Sequence, residues 1–328
     1  MTILFVSSGN KNNNHGKPGT VVYNQGKSLK ALGLDVEYFL VQGKGLTGYI
    51  QETKRLKKYL KENPVDLIHA HYTLSAWTAV CARPRQPIIL SLMGTDAYGE
   101  YIGVNKILFK SRYLIYLTYV IQPFVKKIIC KSKHIQSFVW LKRKSRIIPN
   151  GVSLKKLDGI NSHRAKMDLK TGKNHVLFLG DKNNIRKNFR VVNEAVQIID
   201  KNTIELVNPY PIAHEKVIEY LRAVDVLVVP SLMEGSPNIV KESMACNTPV
   251  VATDVGDVRW LFGNEPGHYI CSFEPEDVAQ KIEMALDFAK KHGKTNGRQR
   301  ILELGLDEKA IAGRLVEVYE EAIEKERK

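Results

Sequence analysis

Short apolar, β-branched runs alternate with stretches of helical periodicity along the chain, and the alternation starts over once. In the first half, TILFVS (2–7), LDVEYFL (34–40), VDLIHA (65–70), PIILSL (87–92), KIICK (127–131) and SRII (145–148) read as strands. Helices are predicted between them, near 20–32, 50–62, 73–82, 103–122 and 132–141. The second series has strands near 175–179, 203–207, 225–229, 249–252 and 268–272, with helices near 187–199, 214–223, 237–246 and 275–291. Runs this apolar, separated by helices, predict parallel sheets covered on both faces. Two series predict an α/β protein of two doubly wound domains, residues 1–150 and 151–305. The turn-rich PNGVSLKKLDG (149–159) forms the junction. The last stretch, 306–328, reads as one amphipathic helix that finishes its domain or crosses back to the first.

Length and composition (328 residues, 44% hydrophobic, 25% charged) are those of a globular chain with room for two cores. MTILFVSSGN runs straight into a strand, so no secretory leader is expected, and no apolar run approaches the ~20 residues of a membrane span. Four scattered cysteines (81, 130, 246, 271) read as buried thiols in a reducing compartment. The charge is uneven. Residues 1–150 hold 23 Lys+Arg against 7 Asp+Glu, and the remainder is close to neutral. Residues 101–150 hold eleven basic residues and no acidic one. A one-sided field of this kind selects an anionic partner. Nucleic acid is disfavoured, because no recognisable module accompanies the charge and the tyrosines of 113–119 read as part of a buried helix.

The chemistry concentrates in MEGSPNIVKESMACNTPVVATDVGDV (233–258). It follows the apolar strand DVLVV, and ligands of parallel sheets gather at the carboxyl ends of strands. Ser236 reads as an N-cap and Pro237 as the first helical residue, so backbone N–H groups around Gly235, Asn238 and Ile239 offer a phosphate site. Glu234 and Glu242 flank that site. Carboxylates there would repel phosphate, so they must face hydroxyl groups on either side of it, as in a nucleotide sugar. An isolated pair of glutamates eight apart is more often a surface residue and a loop anion. The helix start between them, directly after a buried strand, sets this pair apart.

This block resembles the donor-site signature of retaining, family-four-type glycosyltransferases of the GT-B fold, the glycosyl transferases group 1. YLRAVDVLVVPS (220–231), IIPNGVSL (147–154), DLIHAHY (66–72) and GTD (94–96) are similar as well, so the resemblance spans nearly the whole chain. It implies two Rossmann-like domains, the first for the acceptor and the second for the donor, with reaction in the cleft between them. By that resemblance Glu242 holds the ribose hydroxyls, Glu234 the donor sugar, and the backbone of Gly235, Ser236, Pro237, Asn238 and Ile239 the phosphates and sugar. Lys187 corresponds to the family lysine that neutralises the diphosphate. The matching arginine is missing, with Asp181 in its place, and Arg186 is the substitute. In the first domain Met93 replaces the family histidine before G-T-D. Asp96 is then the candidate beside the reacting sugar, with His71 and His15 as further histidines at strand ends and Gly16 and Gly19 as points of close backbone approach to phosphate.

No D-x-D pair and no zinc-type spacing occurs, so neither a metal nor any other cofactor is expected; the nucleotide sugar, UDP- or GDP-linked, is a co-substrate. The expected acceptor is a glycan or lipid-linked sugar, in polysaccharide or glycolipid assembly on the cytoplasmic side of an anionic membrane surface. A sugar-nucleotide epimerase on the same scaffold, or a non-catalytic partner subunit, are the alternatives.

Overall fold

The structure is a computed structural model that describes residues 1–8, 18–42, 45–158, 169–199 and 202–327. The strands are β1 Thr2–Ser8, β2 Asp35–Val41, β3 Leu67–His71, β4 Ile88–Ser91, β5 Tyr101–Gly103, β6 Lys106–Ile107, β7 Lys127–Cys130 and β8 Ser145–Ile147, followed by β9 Asn174–Leu177, β10 Ile204–Val207, β11 Val226–Val229, β12 Val250–Thr253 and β13 His268–Cys271. Two compact units divide them. One comprises 1–100, 108–151 and 308–328, the other 101–107 and 152–307.

In the first unit six strands form a parallel sheet in the order β2-β1-β3-β4-β7-β8. Strands β3, β4 and β7 are buried at every position, which is why they read as apolar runs without alternation. The C-terminal helix Glu308–Arg327 packs in this unit, next to the helix Thr20–Lys30. Its inner face carries Ile311, Leu315, Val318, Tyr319 and Ala322 at helical spacing, all buried. Tyr319 is fully buried, and its hydroxyl lies 2.7 Å from His69 Nδ1 on β3. Glu321 of the same helix pairs with Lys127 and Arg146, the first of which is buried at the start of β7.

In the second unit the parallel sheet runs β10-β9-β11-β12-β13. Val176, Val226, Val228 and Val251 from its strands and Phe178 just past β9 share a core with Val192 and Ile282 from the flanking helices. Because β10 and β11 lie on opposite sides of β9, the strand order reverses there. The loops leaving the carboxyl ends of β9 and β11 therefore rise side by side, the usual place for a ligand in such sheets.

The helix predicted over 103–122 is shorter. Residues 101–107 form the hairpin β5–β6, which turns at Asn105 with φ of 56°, and the helix spans Arg112–Ile121. Its tyrosines 113, 116 and 119 are exposed, against the expectation of a buried helix; Leu114, Thr118 and Ile121 face inward instead.

Candidate functional site

The loop after β9 is built to aim two cations. Asp181 accepts the Asn183 N–H at 2.9 Å, and Asn184 caps the short 3₁₀ turn Ile185–Lys187 by accepting the Arg186 N–H at 3.1 Å. Asn188 then takes a left-handed conformation (φ 54°), which asparagine tolerates, and its amide donates to the Pro230 carbonyl beside β11. The Leu232 N–H donates to the Arg186 carbonyl at 2.8 Å, locking the two loops together.

The product of this geometry is a charge cluster on one carboxylate oxygen. Glu234 Oε1 lies 2.6 Å from Lys187 Nζ and 2.8 Å from Arg186 Nη1, and it accepts the Ser231 hydroxyl at 3.0 Å. Arg186 also donates to the Met233 carbonyl. Burial pushes the Glu234 pKa up, but Lys187, Arg186 and the two hydrogen bonds outweigh it and hold the carboxylate below its usual range. Arg186 thus stands with Lys187 on one carboxylate oxygen. Asp181, in the place of the family arginine, is a turn former.

Backbone contact closes the other side. Gly256 has φ of 63°, and a Cβ there would sit 2.7 Å from the Gly235 carbonyl oxygen and 2.9 Å from that of Glu234. Only glycine lets the loop after β12 press on Glu234–Gly235. The helix of the signature begins one residue later than expected, at Asn238, with Pro237 at the cap position. Ser236 does not cap it. Its hydroxyl donates to Asp257 at 2.6 Å and accepts from the fully buried Lys241 at 3.1 Å. Burial lowers the Lys241 pKa and raises that of Asp257, each opposed by the other's charge. The second Asp257 oxygen, Oδ1, is buried without a partner.

Glu242, four residues into the helix from Asn238, meets His214 Nε2 at 2.9 Å. That hydrogen bond raises the His214 pKa against the opposing effect of burial. His214 opens the helix His214–Ala223, and sequence reasoning missed it as a site residue. Nearby, Gly180, Asp181, Asn183, Asn208, Tyr210 and Pro211 line an open cavity of about 370 Å³. The sequence-predicted residues Glu234, Lys187, Arg186, Gly235 and Ser236 are therefore gathered at the carboxyl ends of β9, β11 and β12.

In the first unit the expectation for Asp96 is corrected. The side chain is fully buried, with Oδ1 accepting the N–H groups of Met93 (3.0 Å) and Gly94 (2.9 Å) and Oδ2 that of Thr73 (3.0 Å). Burial pushes its pKa up to about 6 despite those bonds. It ties the loop after β4 to the helix Thr73–Ala82 and has no surface to offer a substrate. His71 ends β3, stacks on His69 at 4.2 Å between centroids, and has no partner on either ring nitrogen. Gly19 caps the helix Thr20–Lys30 with open space beyond it. His15 and Gly16 lie outside the described residues.

The comparisons with known proteins bear on the family and the fold. Residues 163–287 match the family model of glycosyl transferases group 1, and residues 35–156 that of glycosyltransferase family 4. The two matches together reach both units. TuaC of Bacillus subtilis, named for a glycosyltransferase of teichuronic acid biosynthesis, is 26% identical over 240 residues, covering 66% of this chain and 60% of its own length. Sucrose-phosphate synthase from Thermosynechococcus elongatus superposes with a TM-score of 0.81 at 20% identity over 98% of both chains. Anabaena HepE, solved with UDP and glucose, gives 0.73 at 16% identity over 96% of this chain and 98% of its own. The fold is GT-B, and the chain belongs to the glycosyl transferases group 1 of family four.

Proposed function

We propose that this chain is a retaining glycosyltransferase that moves a sugar from a UDP- or GDP-linked donor to a glycan or lipid-linked acceptor, without a metal ion. The observation that carries the reading is the convergence of Lys187 and Arg186 on Glu234 Oε1 at the switch point of the second sheet. Three donors reach that one oxygen, which leaves Oε2 to take a sugar hydroxyl. The two cations are held in place before any diphosphate arrives, and fixed cations of this kind stabilise the charge that builds on a leaving group. That role is the one a bound divalent ion fills in other transferases, so the pair makes a metal unnecessary. Glu242 takes the ribose diol, and the cavity by Asn208 and Tyr210 takes the base.

We assign no base role to Asp96, which is fully buried with both oxygens accepting backbone N–H groups. In the step proposed here the bond from the anomeric carbon to the phosphate oxygen breaks, and the acceptor hydroxyl oxygen bonds to the same face of that carbon. The acceptor's proton passes to the leaving phosphate. The names of TuaC (teichuronic acid biosynthesis) and of HepE (UDP and glucose) support a cell-surface polymer or glycolipid as product and a nucleotide sugar as donor. We place the work at the cytoplasmic face of a membrane. The test is a screen of nucleotide sugars in EDTA, reading the free nucleotide released and the anomeric configuration of the sugar. Release with retained configuration supports the reading; inversion, or release only after a metal is restored, contradicts it.

A further inference from the structure

We propose that the outward face of the helix Arg112–Ile121 is a docking surface for an anionic phospholipid bilayer. The proposal rests on the reading above only for why a membrane would be needed; the surface itself stands on its own observations. The helix buries Leu114, Thr118 and Ile121 and turns Tyr113, Tyr116 and Tyr119 outward, with 49%, 68% and 53% of their surface exposed. An outward helix face in water ordinarily carries charge. After Arg112 this helix has none at all, RYLIYLTYVI. The aromatic surface continues past the helix. Phe124 is exposed, and Trp140 stacks on Tyr119 at 5.4 Å with its indole N–H on the Tyr119 carbonyl. Phe109, 78% exposed, precedes the helix under the Arg112 guanidinium.

Charge decides what covers it. Of the eleven basic residues in 101–150, the structure withdraws several from any surface role. Lys127 and Lys131 are buried, Lys144 donates to the carbonyls of Gln122, Pro123 and Val125 below the end of the helix, and Arg146 pairs with Glu321. Lys110 and Arg112 remain exposed at one end of the tyrosine row. Arg143 remains exposed next to Trp140 at the other, beside Lys142, whose side chain is exposed while its ammonium reaches the Gln136 carbonyl. An aromatic row bracketed by basic side chains, with no acidic residue in the segment, matches the headgroup level of an anionic bilayer. Tyrosine and tryptophan place an apolar ring and a polar tip there, and lysine and arginine meet the phosphates. Nucleic acid fits less well, because Tyr119 and Trp140 spend ring faces on each other that a base would need. No helix among the described residues is long and apolar enough to cross a membrane, so the contact would be superficial.

The experiment is flotation of the full chain with phosphatidylglycerol–phosphatidylcholine vesicles and with phosphatidylcholine alone, at low and raised salt. The chain should float with the anionic vesicles only, and less as salt rises. The variant Tyr113→Ser/Tyr116→Ser/Tyr119→Ser should weaken binding at least tenfold at every salt concentration. The variant Lys110→Gln/Arg112→Gln/Lys142→Gln/Arg143→Gln should weaken it at low salt and lose the salt dependence. In the wild-type chain, brominated lipid should quench Trp140 fluorescence, and Trp140→Phe should remove that quenching, a readout that needs no tyrosine variant to fold. Release of nucleotide without acceptor should be unchanged in all three variants. Flotation without such release would leave the surface standing and sink the transferase reading. Equal flotation of wild type and variants, no flotation, or a dimer in sedimentation that the tyrosine variant dissociates would overturn the docking surface.

Discussion

Lys187 Nζ lies 2.6 Å from Glu234 Oε1, across two loops whose strands are neighbours in the second sheet. The contact resolves a conflict in the signature, which places carboxylates beside a phosphate site. Glu234 does not face the phosphates alone. It is neutralised by the same cations that would hold them, and its low pKa keeps it ionised. If those cations act on the leaving diphosphate, their loss must fall on the transition state more than on the bound donor. Lys187→Ala should therefore lower kcat roughly 100-fold with a smaller change in KM, and Arg186→Ala should follow it within about tenfold. Steady-state kinetics on donor hydrolysis checks this. A raised KM with normal kcat would reduce both residues to simple binding groups.

Lys241 and Asp257 make a buried pair through Ser236, beneath the glycine contact that supports Glu234. Removing one member leaves the other charged and buried. Lys241→Met and Asp257→Asn should each cost about 3–5 kcal/mol, and the double variant should recover a large part of it. A double-mutant cycle by chemical denaturation measures the coupling; additive losses would mean the two side chains do not depend on each other.

Gly256→Ala probes the same support from the backbone side. The added methyl must fit 2.7 Å from the Gly235 oxygen at a φ of 63°, so either loop has to move. Turnover should drop at least tenfold while the melting temperature falls by several degrees, for a cost on the order of 1–3 kcal/mol. Normal turnover in this variant would show that Glu234 does not need the loop held where it is.

His69 and His71 stack inside the first unit, and burial, then charge from Lys131 and, for His69, from His71, holds both pKa values well below 6.5. For a base with a depressed folded pKa, the unfolded chain binds more protons once pH falls below about 6.5, so stability is lost from there downward. Asp96 works in the opposite sense between its ordinary value and about 6, and only partly offsets the loss. Denaturation midpoints should fall between pH 7 and pH 5, and His71→Gln should flatten the curve. A flat wild-type curve would contradict the assignment of two neutral buried imidazoles.

The strands of both sheets were legible because strands buried on two faces leave apolar runs that no other element explains. The hairpin at 101–107 was not, since YIGVNKI is short and runs into the apolar residues of the next helix. That helix, YLIYLTYVI, is apolar on all sides. Periodicity cannot say which side faces inward, so its tyrosines were expected inside. Glu234 and Glu242 stood out because one sequence block carries the helix start and its flanking carboxylates, and Lys187 because its loop resembles that of the family. His214 escaped because it lies 28 residues before Glu242 and only the fold joins them. Asp96 was misread for a related reason: its position past a strand end suggested exposure, whereas two loop N–H groups and one helix-start N–H needed its oxygens.

The central claim is a nucleotide-sugar site framed by Glu234 and Glu242, and its most direct test is acceptor-free release of nucleotide in EDTA. The wild-type chain should release UDP or GDP from one of its sugar nucleotides. Glu234→Ala and Glu242→Ala, folded by circular dichroism, should each be slower by tenfold to a hundredfold, the scale of a lost charged hydrogen bond of about 1.5–3 kcal/mol. Equal rates in the three proteins, or no release by a folded wild-type chain from any UDP- or GDP-sugar, would contradict it.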